Sequence, residues 1–396
     1  MDMKRIYIVF ICLLLCGCNS NKEVVIKESV VSNTIDEKVE SILNNMTIEE
    51  KIGQMLIIKH DAKEVDDNLK KIMNDIKPGG FILFGGNISA FSNTKKFISD
   101  IKSTSQIPLI VTLDQEGGSI QKIQLISDKS ILFIPGMEMV GNTMNEELAY
   151  DVGRVLAEEL RTLGVNVTLA PVADINSNPN NTVIGTRSFG SNKDIVSKMA
   201  LSVANGIESR GIIPVYKHFP GHGDTKTDSH LGLPIINKTY DEVYNNELQP
   251  FINAIKSDAK IIMVGHLAFP YLSGDYTPAS LSSKIINDLL INDLGFKGLV
   301  ITDALDMGAL INNYTDKEIT LMAINAGVDI LLMPRDYYSS IEYIKNNVSE
   351  DRINESVRKI LKFKYTYLND YELLDESYLG NDNQKEIINK VYDLNK

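Results

Sequence analysis

The fold class of this chain is decided by the stretch IIPVYKH, residues 212–218. Its first five residues predict a strand that is buried on both faces, as strands of a parallel sheet are. Two basic residues follow directly, and a charge at the end of a buried strand costs free energy unless it is paired or functional. The stretch therefore predicts a parallel sheet with functional groups at the carboxyl ends of its strands.

Seven further apolar runs of four to six residues occur along the chain, each bounded by polar residues, Gly or Pro. They are Met55–Ile58, Gly80–Phe84, Leu109–Leu113, Asn166–Ala170, Ile261–Val264, Leu299–Thr302 and Asp329–Leu332. Longer stretches with helical spacing of apolar residues lie between them, such as Glu146–Leu163, and a last one covers Ser349–Tyr365. Eight strand–helix units predict an α/β fold, a (β/α)8 TIM-type barrel that forms a single catalytic domain.

A doubly wound open sheet is the alternative arrangement of the same elements. That fold requires a glycine-rich phosphate-binding turn after its first strand. Residues Gln54–Lys59, which surround the first predicted strand, contain no such turn. The barrel is therefore favoured.

The composition is ordinary for a globular protein and excludes several classes of function. The chain has 396 residues, of which 43% are hydrophobic and 23% charged, and α/β barrels of this length form one domain. The net charge of −12 disfavours nucleic acid as a partner. All three cysteines lie in the first 18 residues, which excludes a disulfide framework, a cysteine-ligated metal and a thiol nucleophile in the body.

The N-terminal residues have the layout of a secretory signal. Lys4 and Arg5 precede the apolar run Ile6–Leu15, which is too short to span a bilayer. The run ends in LCGC, residues 15–18, which resembles the bacterial lipobox. The resemblance implies that Cys18 is lipidated and becomes the mature N-terminus, whereas the alternative is an ordinary signal peptide with a chance cysteine.

The sequence thus predicts a cell-membrane lipoprotein that is exposed outside the cytoplasm. Its parts are a signal peptide at residues 1–17, a lipidated tether at 18–36, the barrel at 37–366 and a C-terminal tail at 367–396. The tail is polar and too short to form a domain, and it either packs as a helix or trails from the barrel.

Charged residues follow five of the predicted strands, at the end of the barrel where active sites lie. They are Asp114 in the stretch DQEGG, Asp174 with the later Arg187, Lys217 with His218, His266, and Asp303. One such residue is often part of a structural salt bridge. Several that converge on one face predict a functional site.

The densest group of polar residues is KHFPGHGDTKTDSH, residues 217–230. It holds three of the five histidines of the chain, and its Pro and Gly residues preclude a regular helix, which predicts a loop over the barrel mouth. Three interpretations compete: metal binding, general acid–base catalysis by a His beside a carboxylate, and mutual hydrogen bonding for structure.

A metal-dependent amidohydrolase is the specific form of the metal interpretation. Such barrels carry His-x-His after the first strand and Asp after the eighth strand. Here these positions read KHD at residues 59–61 and MPR at residues 333–335, and neither fits. We therefore expect no metal and no cofactor.

At the loop of residues 217–230 the sequence resembles glycoside hydrolase family 3, and within it the β-N-acetylglucosaminidases. The similarity covers roughly residues 40–365, and its motifs occur in the family's order. Besides the loop they are DQEGG at 114–118, APVAD at 170–174, RSFG at 187–190 and TDALDM at 302–307.

The resemblance implies a role for individual residues. Asp303 matches the nucleophile, His230 the general acid/base and Asp228 its partner carboxylate. The residues that match those holding the sugar in the −1 subsite are Asp114, Arg187, Lys217 and His218. This set suits a retaining mechanism, in which a carboxylate attacks the anomeric carbon and forms a covalent glycosyl-enzyme.

The spacing of Asp228 and His230 is consistent with their acting as a pair. An extended segment from Asp228 to His230 would direct both side chains to the same side.

The remaining polar residues of the motifs are expected to be structural or stay unassigned. We expect His222 to be structural, because the family match gives it no chemical role. Asp224 and Asp306 are expected to be hydrogen-bonding scaffold, and His266, which either lines the pocket or lies in the core, stays unassigned.

The expected function is that of a retaining exo-β-N-acetylglucosaminidase that removes terminal GlcNAc from peptidoglycan fragments (muropeptides) or chitooligosaccharides. Family-3 β-glucosidases take their acid from a second domain, for which the last 30 residues leave no room. The alternatives are a phosphorylase on the same site and, from another class, a non-catalytic sugar-binding lipoprotein. We expect a monomer that binds no nucleic acid and meets the membrane through Cys18.

Overall fold

The computed structural model describes residues 34–225, 228–229, 231–369 and 371–396. The predicted signal peptide at residues 1–17, the lipidation site Cys18 and nearly all of the tether lie outside the described residues. His230 also lies outside them, as do Lys226, Thr227 and Asp370.

Eight parallel strands form one sheet. They are β1 (Leu56–Ile58), β2 (Gly80–Ile82), β3 (Ile110–Leu113), β4 (Val167–Thr168), β5 (Ile213–Phe219), β6 (Ile261–Val264), β7 (Leu299–Thr302) and β8 (Leu331–Leu332). From β1 to β7 each strand pairs with the next, and β1 also pairs with β8. A bridge between Ile301 and Ile330 joins the two ends of the sheet, so the predicted (β/α)8 barrel is confirmed.

In the described residues, fifteen α-helices surround or extend the barrel. They are α1 (Ile35–Asn45), α2 (Ile48–Gln54), α3 (Asp67–Ile76), α4 (Phe91–Ser103), α5 (Met137–Asn142), α6 (Glu146–Leu163), α7 (Lys193–Glu208), α8 (Tyr240–Asn245), α9 (Gln249–Lys256), α10 (Pro270–Ser273), α11 (Gly308–Ile311), α12 (Asp316–Ala326), α13 (Tyr337–Asn347), α14 (Glu350–Tyr367) and α15 (Asp382–Leu394). A π-helical segment, Lys284–Asp293, precedes β7. Over the part of the chain that the structure describes, no helix combines the length and the apolar character needed to cross a membrane.

Helix α6 shows how local sequence sets the bounds of these elements. The Asn145 side chain accepts a hydrogen bond from the Leu148 amide at 3.0 Å and caps the first turn. The helix ends at Gly164, whose φ of 99° is left-handed and therefore favours glycine. Leu148, Val152 and neighbouring apolar residues at helical spacing are buried, so the predicted helix Glu146–Leu163 is confirmed.

The eight strands lie where the sequence predicts them, but several differ from the predicted strands in length. Strands β6 and β7 have the predicted bounds, whereas β5 continues to Phe219 instead of ending before Lys217. The Lys217 carbonyl accepts the Ala173 amide at 2.6 Å, which keeps this part of the backbone in strand pairing. Lys217 and His218 are consequently buried within the strand, where their side chains require ionic partners.

The C-terminal tail packs against the barrel as a helix and does not trail from it, which were the two alternatives that the sequence left open. It forms helix α15, and Gln384 in that helix donates to Glu158 of α6 at 2.7 Å. Arg161 of α6 donates to the carbonyl of Glu372 at 2.7 Å. Val391 and its apolar neighbours in α15 are buried, so the tail is an integral outer layer of the barrel.

Candidate active site

A cavity of about 340 Å³ opens at the carboxyl ends of the strands. Five of the site residues that the sequence predicts line it: Asp114, Arg187, Lys217, His218 and Asp303. They come from the ends of β3, β5 and β7 and from the loop that follows β4. The barrel topology thus brings together residues that are far apart in the sequence.

The polar end of the cavity is organised around Glu116, which is almost fully buried. Its carboxylate accepts two hydrogen bonds from Arg187, from Nε and Nη2, both at 2.8 Å. Lys217 Nζ lies 2.6 Å from Glu116 Oε1 and 2.8 Å from Asp114 Oδ1. Two cations and two carboxylates therefore form one network, which fixes the direction of each side chain before any ligand arrives.

The charges in this network stabilise one another against burial. Burial would raise the pKa of Glu116, but Lys217 and Arg187 hold it far below its ordinary value. Burial would lower the pKa of Lys217, and the carboxylates of Asp114 and Glu116 raise it instead. The −1 subsite predicted from the sequence is therefore charged at neutral pH.

Glu116 is a site residue that the sequence analysis missed. It stands in the stretch DQEGG, in which the family resemblance implies a role for Asp114 alone. The available signal was the spacing, because residues two apart in an extended segment face the same side. Glu116 lies in a short strand, Gln115–Gly117, which pairs with Ile120–Gln121 and holds it beside Asp114.

A second buried carboxylate, Asp174, orients His218. Its Oδ2 lies 2.7 Å from His218 Nδ1, and its Oδ1 accepts the main-chain amide of His222 at 2.6 Å. Burial would raise the pKa of Asp174, whereas His218 lowers it. The ionised Asp174 thus directs the other ring nitrogen of His218, Nε2, away from itself.

Asp303 follows β7 and is partly exposed in the cavity. Its Oδ1 accepts the amide of Ala304 at 2.7 Å, and its own amide donates to the Val264 carbonyl at 3.0 Å. Burial would raise its pKa, but His218, His266 and the Ala304 amide lower it. Asp303 is therefore an ionised carboxylate, held by the Ala304 amide, that lines the same cavity as the ion-paired network.

His266, left unassigned by the sequence, lies in the core with both ring nitrogens bonded. Nδ1 is 2.7 Å from Ser280 Oγ, and Nε2 is 2.9 Å from the Ala304 carbonyl. Burial lowers its pKa, which favours the neutral ring. Since Nε2 donates to Ala304, the ring supports the loop that carries Asp303.

The loop at residues 217–230 reaches the cavity through Ser229, which lines it. The Asp228 carbonyl accepts the amides of Leu231 at 2.9 Å and Gly232 at 3.0 Å. Asp228 therefore opens a turn. The extended conformation expected for residues 228–230 stays a prediction, because His230 lies outside the described residues. Asp228 itself is half-buried.

His222 lies in the cavity wall and is almost fully buried. Its Nε2 is 3.1 Å from Ser229 Oγ, and its Nδ1 has no hydrogen-bond partner among the described atoms. Burial, together with the nearby His218, lowers its pKa to about 4. The ring is therefore neutral, and the structural role expected from the sequence stays a prediction.

Asp224 and Asp306, which the sequence predicts to have a hydrogen-bonding, structural role, both form ion pairs. Asp224 pairs with Lys238, whose Nζ lies 2.8 Å away, and Lys238 also pairs with the buried Glu247 at 2.5 Å. Asp306 pairs with Lys59 at the mouth of the cavity. Within the described ranges, no group of three or more His, Cys, Asp or Glu is arranged to hold a metal ion.

These features define a class: a (β/α)8 barrel with a preformed, ion-paired subsite and an ionised carboxylate at a strand end. The model of the glycosyl hydrolase family 3 N-terminal domain matches residues 47–363. The chain belongs to glycosyl hydrolase family 3, which confirms the resemblance seen in the sequence.

Individual relatives agree with this assignment. The chain is 32% identical over 371 residues to beta-hexosaminidase A of Pseudoalteromonas piscicida, a match that covers 81% of this chain and 61% of the relative. It is 32% identical over 272 residues to a beta-hexosaminidase of Nitrosomonas eutropha, covering 67% of this chain and 76% of that one. The chain thus spans about three fifths of the first relative's length and three quarters of the second's.

A solved structure extends the similarity to three dimensions. It is a glycoside hydrolase family 3 beta-N-acetylglucosaminidase from a Paenibacillus species. The two chains superpose with a TM-score of 0.82 at 30% identity, over 88% of this chain and 69% of that one. The barrel architecture is therefore shared over nearly all of this chain.

Proposed function

We propose that the protein is a retaining exo-β-N-acetylglucosaminidase that removes a terminal GlcNAc from a short glycan. One observation carries this proposal: an ionised Asp303 and the Asp114–Lys217–Glu116–Arg187 network line the same cavity. That combination supplies a nucleophile at one end and donors and acceptors for sugar hydroxyls at the other. The hexosaminidase relatives support the same activity.

Asp303 is proposed as the nucleophile of the first step. Its Oδ1 is held by the Ala304 amide, so Oδ2 attacks the anomeric carbon. The bond from that carbon to the leaving oxygen breaks as the ester to Asp303 forms. A lowered pKa keeps the carboxylate ionised, which attack requires.

His230 is proposed as the general acid/base, with Asp228 as its partner carboxylate. In the first step the imidazolium gives its proton to the departing glycosidic oxygen. In the second step the neutral ring takes a proton from the incoming water, which releases the sugar from Asp303. The position of Ser229 in the cavity wall supports this assignment, because His230 follows it directly in the chain.

The −1 subsite is proposed to consist of Asp114, Arg187, Lys217 and His218. Asp114 accepts hydrogen bonds from sugar hydroxyls, and the two cations donate to hydroxyl oxygens. His218 presents Nε2 to the sugar because Asp174 holds Nδ1. A cavity of about 340 Å³ lies at the small end of ligand pockets, which suits one terminal sugar and an exo mode of action.

The proposed substrates are peptidoglycan fragments and chitooligosaccharides, and the proposed acceptor is water. A screen of aryl β-GlcNAc against aryl β-glucoside, with and without phosphate and EDTA, tests the whole assignment. We expect turnover of the GlcNAc substrate alone, with free GlcNAc as product and no effect of EDTA. A sugar phosphate product would instead indicate a phosphorylase, loss in EDTA a metal enzyme, and binding without turnover a sugar-binding protein.

We also propose that Cys18 anchors the protein to the cell membrane, outside the cytoplasm. The proposal is motivated by the apolar run Ile6–Leu15 and the LCGC stretch at residues 15–18. Metabolic labelling with a fatty acid, followed by detergent phase partition, tests it. We expect label and membrane association in the native chain and loss of both in Cys18→Ser, whereas label retained by Cys18→Ser would contradict the anchor.

A further inference from the structure

Ser229 separates the proposed acid/base, His230, from its proposed partner, Asp228, and is itself only 3% exposed. Its hydroxyl oxygen lies 3.1 Å from His222 Nε2. Its carbonyl accepts the amide of Ala309 at 3.0 Å. Ala309 belongs to α11, which follows Asp303 by five residues. Ser229 thus contacts both His222 in the cavity wall and helix α11.

His222 connects this contact to the −1 subsite. Its main-chain amide donates to Asp174 Oδ1 at 2.6 Å, and Asp174 Oδ2 is 2.7 Å from His218 Nδ1. The His218 and His222 rings lie edge to face, with 5.8 Å between their centroids. His218, which we propose contacts the sugar, and His222, which bonds Ser229, therefore both bind the buried carboxylate of Asp174.

Among the described residues, no atom forms a hydrogen bond with His222 Nδ1, which is unfavourable for stability. A buried polar atom without a partner costs about 1–3 kcal/mol. An apolar residue of similar size would fill the space without that cost. Nε2, which bonds Ser229, is the atom through which the ring contacts the part of the loop next to His230 in the sequence.

We propose that His222 and Ser229 form a latch that positions the general acid/base. The inference rests on the proposed function, since it takes His230 to be the acid. The latch holds Ser229 at its side chain and at its carbonyl, and Ser229 is the residue between Asp228 and His230 in the sequence. The two residues are positioning residues: they act through His230 and Asp228, and a misplacement of about 1 Å costs on the order of a hundredfold in rate.

The latch makes a prediction that a purely structural role does not. Proton donation matters for a sugar leaving group and little for dinitrophenolate, which leaves without help. We therefore expect Ser229→Ala and His222→Ala to lower kcat/KM for GlcNAc-β-1,4-GlcNAc by roughly 10- to 100-fold. For 2,4-dinitrophenyl β-GlcNAc, kcat/KM should fall much less than for the disaccharide, since proton donation contributes little to the departure of this leaving group.

The experiment measures both substrates in Ser229→Ala, His222→Ala, His222→Gln and His230→Ala, with the exposed Ser191→Ala as matched control. The side-chain amide introduced by His222→Gln reaches the place where the imidazole Nε2 stood, so this variant should recover most of the disaccharide rate. Thermal unfolding of each variant separates loss of rate from loss of fold.

Equal losses on both substrates, or no recovery in His222→Gln, would overturn the latch. A leaving-group dependence in His230→Ala without one in Ser229→Ala would reject the latch and leave the proposed function intact. If His230→Ala itself shows no such dependence, the acid assignment fails and the latch fails with it.

Discussion

Glu116 binds Arg187 through both carboxylate oxygens, each 2.8 Å from a guanidinium nitrogen, and shares Lys217 with Asp114. Arg187 reaches Glu116 from a different loop, so this pair fixes two segments of the barrel mouth relative to one another. The two cations that we propose to bind the sugar, Arg187 and Lys217, are thereby held in fixed positions before substrate enters.

Neutralising Glu116 should disturb both stability and binding. In Glu116→Gln, Arg187 and Lys217 keep their positive charges, but of the two carboxylates in the network only Asp114 remains ionised. Breaking a buried pair costs about 3–5 kcal/mol of the free energy of unfolding. A misplaced subsite should lower kcat/KM by about a hundredfold.

Urea unfolding and steady-state kinetics measure the two effects of Glu116→Gln. The exposed pair of Lys71 and Asp75 supplies the control, because Asp75→Asn should change the free energy of unfolding by less than about 1 kcal/mol. A Glu116→Gln enzyme with native stability and native kcat/KM would refute the organising role of Glu116.

Removing the proposed acid should affect substrates according to their leaving group. In His230→Ala we expect turnover of GlcNAc disaccharides to fall by about 10²–10⁴-fold, the usual contribution of general acid catalysis. Turnover of dinitrophenyl glycosides should fall much less. Steady-state kinetics over a series of aryl leaving groups gives the answer, and an equal loss across the series would argue against an acid role.

Stability should depend on pH through Glu159 of α6. This carboxyl is fully buried, accepts the Leu132 amide at 2.7 Å, and has a pKa raised to about 8, chiefly by burial. In the unfolded chain the Glu159 carboxyl loses its proton near pH 4.3. Between about pH 4.3 and pH 8, Glu159 is therefore protonated in the folded state and ionised in the unfolded state. The free energy of unfolding therefore falls as pH rises through that window, by several kcal/mol at most.

Glu159→Gln removes this dependence, since an amide cannot ionise. We expect the variant to be more stable than the native chain at pH 8 and of similar stability at pH 5. The neighbouring Glu158, which pairs with Arg154 and Arg210 at 2.9 Å, is the matched control, and Glu158→Gln should destabilise the fold. Urea unfolding at pH 5, 6.5 and 8 tests both variants, and a parallel pH dependence in Glu159→Gln and the native chain would contradict this account.

The regular elements could be predicted from the sequence because their signals are local. The bounds of β6, β7 and α6 follow from apolar periodicity and from caps such as Asn145 and Gly164. Five site residues meet in the cavity because a barrel places the ends of all its strands on one face.

The contacts that complete the site could not be predicted in this way. The Glu116–Arg187 pair and the His222–Ser229 contact join segments whose approach depends on the folded loops. The continuation of β5 through Lys217 depends on pairing with the segment after β4, which periodicity does not report. Sequence patterns identified the chemical groups, and the structure supplied their partners.

The identity of the nucleophile is the central claim, and covalent trapping tests it most directly. The native enzyme is incubated with an activated 2-fluoro glycoside, digested with protease and analysed by peptide mass spectrometry. We predict one added glycosyl mass per chain, located on Asp303, and none in Asp303→Asn, whose turnover should fall on the order of 10⁴-fold or more. A glycosyl adduct on another residue, or full turnover by Asp303→Asn, would contradict the account.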